Sequence, residues 1–154
     1  MVKSTMLING KEISPSQAGK IAEDFIIKWL SKKSKYIYVA RFSDTYDANK
    51  GRWGTGQKKV VLPRKPCDIM LIMNGITYFC EIKTSTSKKG LTGSLFSTQA
   101  SERYKIAVAG GNYVYLIYST ERREWYFINY QELVSDYTWE DMIHFYIDFP
   151  EVPF

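Results

Sequence analysis

Apolar and polar positions are patterned most clearly over residues 67–83, CDIMLIMNGITYFCEIK. Two apolar runs, 69–73 and 76–80, flank Asn74-Gly75, the strongest two-residue signal for a β-hairpin. A two-residue loop fixes the cross-strand partners. Met73 then faces Ile76, Met70 faces Phe79, and Asp68 faces Glu81. Directly opposed side chains share a face, with Cβ atoms about 5 Å apart. Lys83 lies two residues beyond Glu81 and projects on that same face.

Around this hairpin the pattern changes period. Residues 6–8, Met-Leu-Ile, form a short extended piece ending at Asn9-Gly10. Ser14-Pro15-Ser16-Gln17 is a helix start, with Ser14 as N-cap, Pro15 at the first helical position and Gln17 completing a capping box. Ala18, Ile21, Ala22, Phe25, Ile26, Trp29 and Leu30 recur at helical spacing to about Lys32. Residues 36–42, YIYVARF, alternate as a strand. Residues 44–59 are polar and contain Gly51, Gly54 and Gly56; they predict a mobile loop. Val60 to Leu62 is a short strand or a return from the loop. Pro63 and Pro66 then fix an extended approach that presents Arg64 and Lys65.

Beyond the hairpin, residues 84–93 form a loop of hydroxyls, lysines and glycines. A helix follows from near Ser97 to Ala109, with Phe96, Ala100, Tyr104, Ala107 and Val108 as its apolar contacts, ended by Gly110-Gly111. Residues 113–119, YVYLIYS, have the near-continuous apolar content of a central strand. Residues 124–129 return as another strand, 130–135 form a helical turn, and Thr138 caps a last short helix. The order is helix, strand, loop, hairpin, helix, strand, strand, short helix. It predicts a single α/β domain over 1–154, with a central mixed sheet and flanking helices.

The chain has 154 residues, 45% of them apolar, enough for one domain with a real core. No apolar run approaches the ~20 residues of a membrane-spanning helix, and the first residues lack the apolar stretch of a secretory signal. The expected location is the cytoplasm, without a membrane partner. Charge is unevenly placed. Residues 1–120 hold 19 Lys/Arg and 8 Asp/Glu, whereas 121–154 hold 2 and 8. The first part suits a polyanion such as DNA. The acidic, aromatic tail suits a wall of the fold or a subunit contact. In the hairpin register Cys67 and Cys80 point to the face opposite the carboxylates, as small buried apolar residues rather than a disulfide. His144, the only histidine, reads as structural, and Asp44 and Asp47 read as solvated turn residues.

The opposed acids carry the chemistry. At an effective dielectric near 20 and about 5 Å, their repulsion is on the order of 3 kcal/mol. A shared proton or a divalent cation would offset it. Oxygen-only ligands suit Mg²⁺ or Mn²⁺, and the Lys83 ammonium adds a charge of useful sign.

Pro66-x-Asp68 followed by Glu81-x-Lys83 resembles the PD-(D/E)xK nuclease superfamily, with the proline one residue further from the aspartate than the name implies. Within it the chain is similar to the archaeal-type and phage Holliday junction resolvases. The resemblance covers about 14–119. It implies a restriction-endonuclease-like core in which Asp68, Glu81 and the backbone carbonyl of Ile82 hold Mg²⁺ (Mn²⁺ substituting). Lys83 would position the nucleophile. Glu23 reads by position alone as a solvated helix residue; in the resemblance Gly19-x-x-x-Glu23 completes the acidic site. Gln99 matches a glutamine that orients water or phosphate. Arg41 and Ser43 stand near the scissile phosphate. Arg52, Lys58, Lys59, Arg64, Lys65, Lys88, Lys89 and Arg103 are expected DNA contacts. Trp53 suits stacking on an unpaired base or wedging at a junction, and equally packing back on the core. The implied activity is a structure-selective endonuclease that resolves four-way junctions in recombination and repair, acting as a homodimer. The alternatives are a restriction or repair nuclease of the same superfamily, or a non-catalytic nucleic-acid-binding module.

Overall fold

In the computed structural model, Ser14 begins the first helix, α1 (Pro15–Lys32), as its capping pattern requires. Its hydroxyl accepts from the Gln17 N–H at 3.2 Å, and the Gln17 side chain accepts from the Ser14 N–H at 3.0 Å. The structure describes residues 6–8, 10–33, 35–43, 49, 51–52, 54–58, 61, 65–92, 100–133 and 136–154. Two short strands, β1 (Met6–Ile8) and β2 (Lys11–Ile13), pair before α1. The main sheet is built from β3 (Ile37–Arg41), β4 (Ile69–Met73), β5 (Ile76–Ser85), β7 (Asn112–Ser119), β8 (Glu124–Asn129) and β10 (Tyr146–Ile147). Between them lie β6 (Gly90–Leu91), α2 (Ala100–Val108) and β9 (Tyr137–Thr138).

Strand order in the six-stranded sheet is β10-β8-β7-β5-β4-β3. The β5–β7 pairing is parallel, and the others are antiparallel. The predicted α/β domain with a mixed sheet is therefore the one observed. The hairpin forms in the expected register, from Met73 opposite Ile76 to Ile69 opposite Cys80. Asn74 and Gly75 both take positive φ, 54° and 77°, which a two-residue turn matching strand twist requires.

Strand β7 is buried along its length on both faces. Val114, Leu116 and Tyr118 face α1, packing with Ala22, Ile26, Leu30, Ile69, Leu71, Cys80 and Ile82. Tyr113, Tyr115 and Ile117 face the other way, with Cys67, Tyr126, Ile128, Trp139 and Met142 and with Ile106 of α2. The central position predicted from its apolar run follows from this two-sided burial.

Several details depart from the sequence pattern. Tyr104 and Val108 are exposed, and α2 turns Ile106 to the sheet instead. The Arg103 side chain sets this rotation, because it lies over the Tyr130 ring at 5.5 Å and donates to the Tyr115 hydroxyl. Thr138 caps as expected, its hydroxyl accepting from the Asp141 N–H at 3.2 Å and its own N–H donating to Asp141 Oδ2 at 3.1 Å, but starts no α-helix. It pairs with Gly90, the Trp139 N–H donates to Lys89 O at 3.1 Å, and only a 3₁₀ segment, Asp141–Phe145, follows.

The acidic C-terminal segment serves as a wall. Phe149 packs on Trp29 with ring centroids 5.0 Å apart, Trp125 donates to Pro150 O at 2.9 Å, and Val152 is buried with its N–H on the Tyr118 hydroxyl. No helix among the described residues is long and apolar enough to cross a membrane.

Gly90 sits where β6 meets β9, and a Cβ there would lie 1.8 Å from Tyr137 O and 2.7 Å from Thr138 Cα. Neither is the movable end of a side chain. Gly90→Ala should therefore destabilise the fold by about 3 kcal/mol or more, read as a lower midpoint in urea unfolding.

Candidate active site

Strand β5 outruns its neighbour. β4 begins at Ile69, opposite Cys80, while β5 continues to Ser85. The Ile82 N–H thus faces an edge with no strand beside it. Asp68, one residue before β4, fills that gap: its Oδ2 accepts from the Ile82 N–H at 2.8 Å, and its own N–H donates to Cys80 O at 3.2 Å. Backbone N–H and C=O of one strand residue point to the same edge. The Ile82 carbonyl is therefore directed toward the side where Asp68 stands.

Glu81, the next position on β5, is 6% exposed, as is Asp68. Its Oε1 lies 3.5 Å from the Lys83 Nζ. Its Oε2 is buried with no hydrogen-bond partner among the described residues. Burial, and then the Asp68 carboxylate, push the Glu81 carboxyl up to about 7, against the pull of Lys83 and Lys65. The facing acids inferred from the hairpin are thus within strong electrostatic reach of each other.

Lys65 was expected to be presented outward, and the structure turns it inward. Its Nζ is 3.0 Å from Asp68 Oδ1, and its side chain is only 21% exposed. Burial pulls its ammonium down, but Asp68, aided by Glu23 and Glu81, more than reverses this and raises it. At an effective dielectric near 20, an ion pair at 3 Å is worth about 5 kcal/mol before desolvation is subtracted. That exceeds the ~3 kcal/mol repulsion expected between the acids. Lys65 and Lys83 are thus the counter-charges of the acid pair.

Glu23 stands beside this pair on α1. Burial and the Asp68 charge raise its carboxyl, while Arg41, Lys20 and Lys65 oppose the rise. Its Oε1 lies 2.8 Å from Arg41 Nη2, and Arg41 Nη1 lies 3.3 Å from Asp24. Arg41 thus ties α1 to β3 with the guanidinium that the sequence assigned to phosphate. Among the described residues no three His, Cys, Asp or Glu side chains gather into a ready-made metal cage. Asp68 and Glu81 form the close pair, and Glu23 is held aside by Arg41.

The donor set nevertheless fits a small, hard divalent cation. It offers two buried carboxylates, an unpartnered Glu81 Oε2 and a backbone carbonyl on the same edge, all oxygen.

Ser43 is exposed next to Phe42, whose N–H donates to Asp68 O at 3.0 Å. Arg52 is folded onto its own loop, with Nη1 on Lys58 O at 2.9 Å, and Lys58 is exposed. Lys88 and Lys89 are exposed on the loop after β5. The Ser87 hydroxyl accepts from the N–H groups of Lys89 and Gly90, and Trp139 donates to Ser87 O at 2.9 Å. Arg103 is committed to Tyr115 and Tyr130. Trp53, Lys59, Arg64 and Gln99 lie outside the described residues, as do Asp44 and Asp47.

Cys67 and Cys80 are both free and buried, but they do not share a face. Cys80 packs toward α1, whereas Cys67 joins Tyr113 and Tyr115 on the opposite side. Strand alternation fails because the chain bends through 66–68 before β4 starts. Sequence reasoning missed the two tyrosines. Tyr115 registers with Glu81 across the parallel pair, and the Tyr113 hydroxyl donates to Pro66 O at 3.1 Å. Burial raises both phenols, and Glu81 adds to the rise. Only knowledge of the β5–β7 pairing could have found them.

No protein-family model matches the chain, and no curated protein matches it in sequence. Among solved structures it is similar to that of Archaeoglobus fulgidus Hjc, a Holliday junction resolvase from an archaeal hyperthermophile. Identity is 14%, over 79% of this chain and 87% of that chain, with a TM-score of 0.46. The likeness is one of outline, and the site rests on this chain's own residues.

The raised Glu81 carboxyl has a definite sign. A carboxyl that holds its proton more tightly when folded favours the fold below its unfolded pKa of 4.5, and that advantage is lost as pH rises through about 7. Wild type should therefore lose on the order of 2 kcal/mol between pH 5 and pH 8 from this group. Glu81→Gln should flatten that part of the profile, as measured by urea melts at the two pH values.

Proposed function

We propose that this protein is a divalent-metal-dependent endodeoxyribonuclease. The observation that carries this reading is the buried Asp68–Glu81 pair, with an unpartnered Glu81 oxygen and the Lys83 ammonium 3.5 Å from its other oxygen. Structural ion pairing alone leaves no reason to bury a second acid with an empty acceptor.

Asp68, Glu81 and the Ile82 carbonyl would hold Mg²⁺, or Mn²⁺ in its place. Glu23 would orient a ligand or water beside them. When bound, the ion supplies a lowered pKa for water and neutralises charge on the scissile phosphate. Lys83 donates to the nucleophile or to a non-bridging phosphate oxygen and stabilises the anion that develops. Gln99 would orient water or phosphate. Ser43, Arg52, Trp53, Lys58, Lys59, Arg64, Lys88 and Lys89 form the DNA-contacting set, with Arg41, Lys65 and Arg103 recruited if their present partners release them. The excess of basic residues in 1–120 supports a polyanionic substrate.

The finer reading is a Holliday junction resolvase of recombination and repair, acting on four-way junctions in the cytoplasm, or in a host cell's cytoplasm for a phage protein. Paired incisions in a symmetric junction need two active sites related by a two-fold axis, hence a homodimer. A binding module is the second reading. It is favoured by the engagement of Asp68 with Lys65, which would persist if no metal ever bound.

Cleavage of labelled four-way junction, linear duplex and flap DNA, with Mg²⁺ or with chelator, separates these. Wild type should cut the junction at symmetric positions only with metal. Glu81→Gln should cut about a thousandfold more slowly while still binding DNA. Equal cutting by both proteins would overturn the site. Binding without cutting by either would leave the binding module, and preference for duplex or flap would replace the resolvase with a restriction or repair nuclease.

A further inference from the structure

We propose that Lys65 is a built-in counter-cation of the acidic site, so that its ion pair with Asp68 and the binding of a divalent metal exclude one another. This inference rests on the proposed metal reading and adds a competitor that neither the hairpin pattern nor the resemblance supplies.

The two Asp68 oxygens have different neighbours. Asp68 Oδ2 is already taken by the Ile82 N–H at 2.8 Å. Oδ1 faces a cation directly, with Lys65 Nζ 3.0 Å from it. The same ammonium feels Glu81 and Glu23 as well as Asp68. It therefore occupies the common field of the three acids that the metal would use. A divalent ion at Oδ1 would stand within contact range of an ammonium, and two like charges that close in a partly buried site repel strongly.

The segment that carries Lys65 can release it. Lys65 lies outside every strand and before the Pro66–Asp68 bend, so its side chain can swing away without breaking β4. Lys83 differs, because it belongs to β5 and is fixed by pairing with β7. Once displaced, the Lys65 ammonium stands at the rim of the same site, where a phosphodiester would replace Asp68 as its partner. Metal loading and capture of the DNA backbone are thereby coupled through one side chain.

The test measures metal uptake directly, without turnover. Mn²⁺ is titrated into the full-length wild type, Lys65→Met, Lys65→Gln, Lys65→Arg and Glu81→Gln, and free Mn²⁺ is read by electron paramagnetic resonance. Glu81→Gln should abolish the wild-type binding. Lys65→Met and Lys65→Gln should bind Mn²⁺ about tenfold more tightly than wild type, and Lys65→Arg should stay near wild type. Thermal melts add a second readout. Without metal, Lys65→Met should melt below wild type, because Asp68 has lost its counter-charge; saturating Mn²⁺ should close the gap. If both neutral variants bind Mn²⁺ no more tightly than wild type while Glu81→Gln still abolishes binding, Lys65 is no competitor and the metal site stands. If wild type takes up no Mn²⁺ that Glu81→Gln removes, the metal reading and this inference fall together.

Discussion

One hydrogen bond organises the acidic site: the Ile82 N–H donating to Asp68 Oδ2. It exists because β5 is longer than β4, which leaves a peptide N–H at a sheet edge without a strand partner. A buried peptide group left unpaired costs about as much as a lost hydrogen bond. An aspartate just before β4 removes that cost, and in doing so its charge is brought into the interior beside Glu81. The site is thus a consequence of unequal strand lengths as much as of two acidic residues.

Bringing two carboxylates into a 6%-exposed position sets the chemistry around them. Desolvation and mutual repulsion raise the Glu81 carboxyl, and every nearby base is drawn toward the acids. Lys65 bonds Asp68, Lys83 approaches Glu81, and Arg41 bonds Glu23. Each acid thus has its own counter-charge. An arrangement of alternating charges can exchange one cation for another, whereas an apolar pocket could not. Removing one member leaves an uncompensated buried charge, the costly case for ion pairs in interiors.

The scaffold keeps this cluster rigid from behind. β7 is buried on both faces, with aliphatic side chains and Tyr118 toward α1 and two tyrosines beneath Glu81. Of the acidic C-terminal segment, Phe149 and Val152 pack on the α1 side and Trp139 and Met142 on the opposite one. The segment's negative charge contrasts with the basic excess of 1–120. Arg41, Arg52 and Arg103 are turned to partners within the fold. Each bonds within the fold, to a carboxylate, a carbonyl or a tyrosine.

Local chemistry made much of this legible in advance. The capping box at Ser14, the positive-φ turn at Asn74-Gly75 and the continuous apolar run of β7 depend on neighbours a few residues away, so the chain alone determined α1, the hairpin register and the central strand. The expectation that Asp68 and Glu81 lie near each other followed from that register. Other features depend on contacts between segments distant in the chain, and only the tertiary structure decided them. Lys65 turned inward because Asp68 was waiting there with one free oxygen. Cys67 changed face because the chain bends before β4. α2 rotated about Arg103, and Tyr115 came beside Glu81 through a parallel pairing 34 residues apart in sequence. Hydrophobic period reports which side of an element is buried; it carries no information about which charge, from which other element, will meet it there.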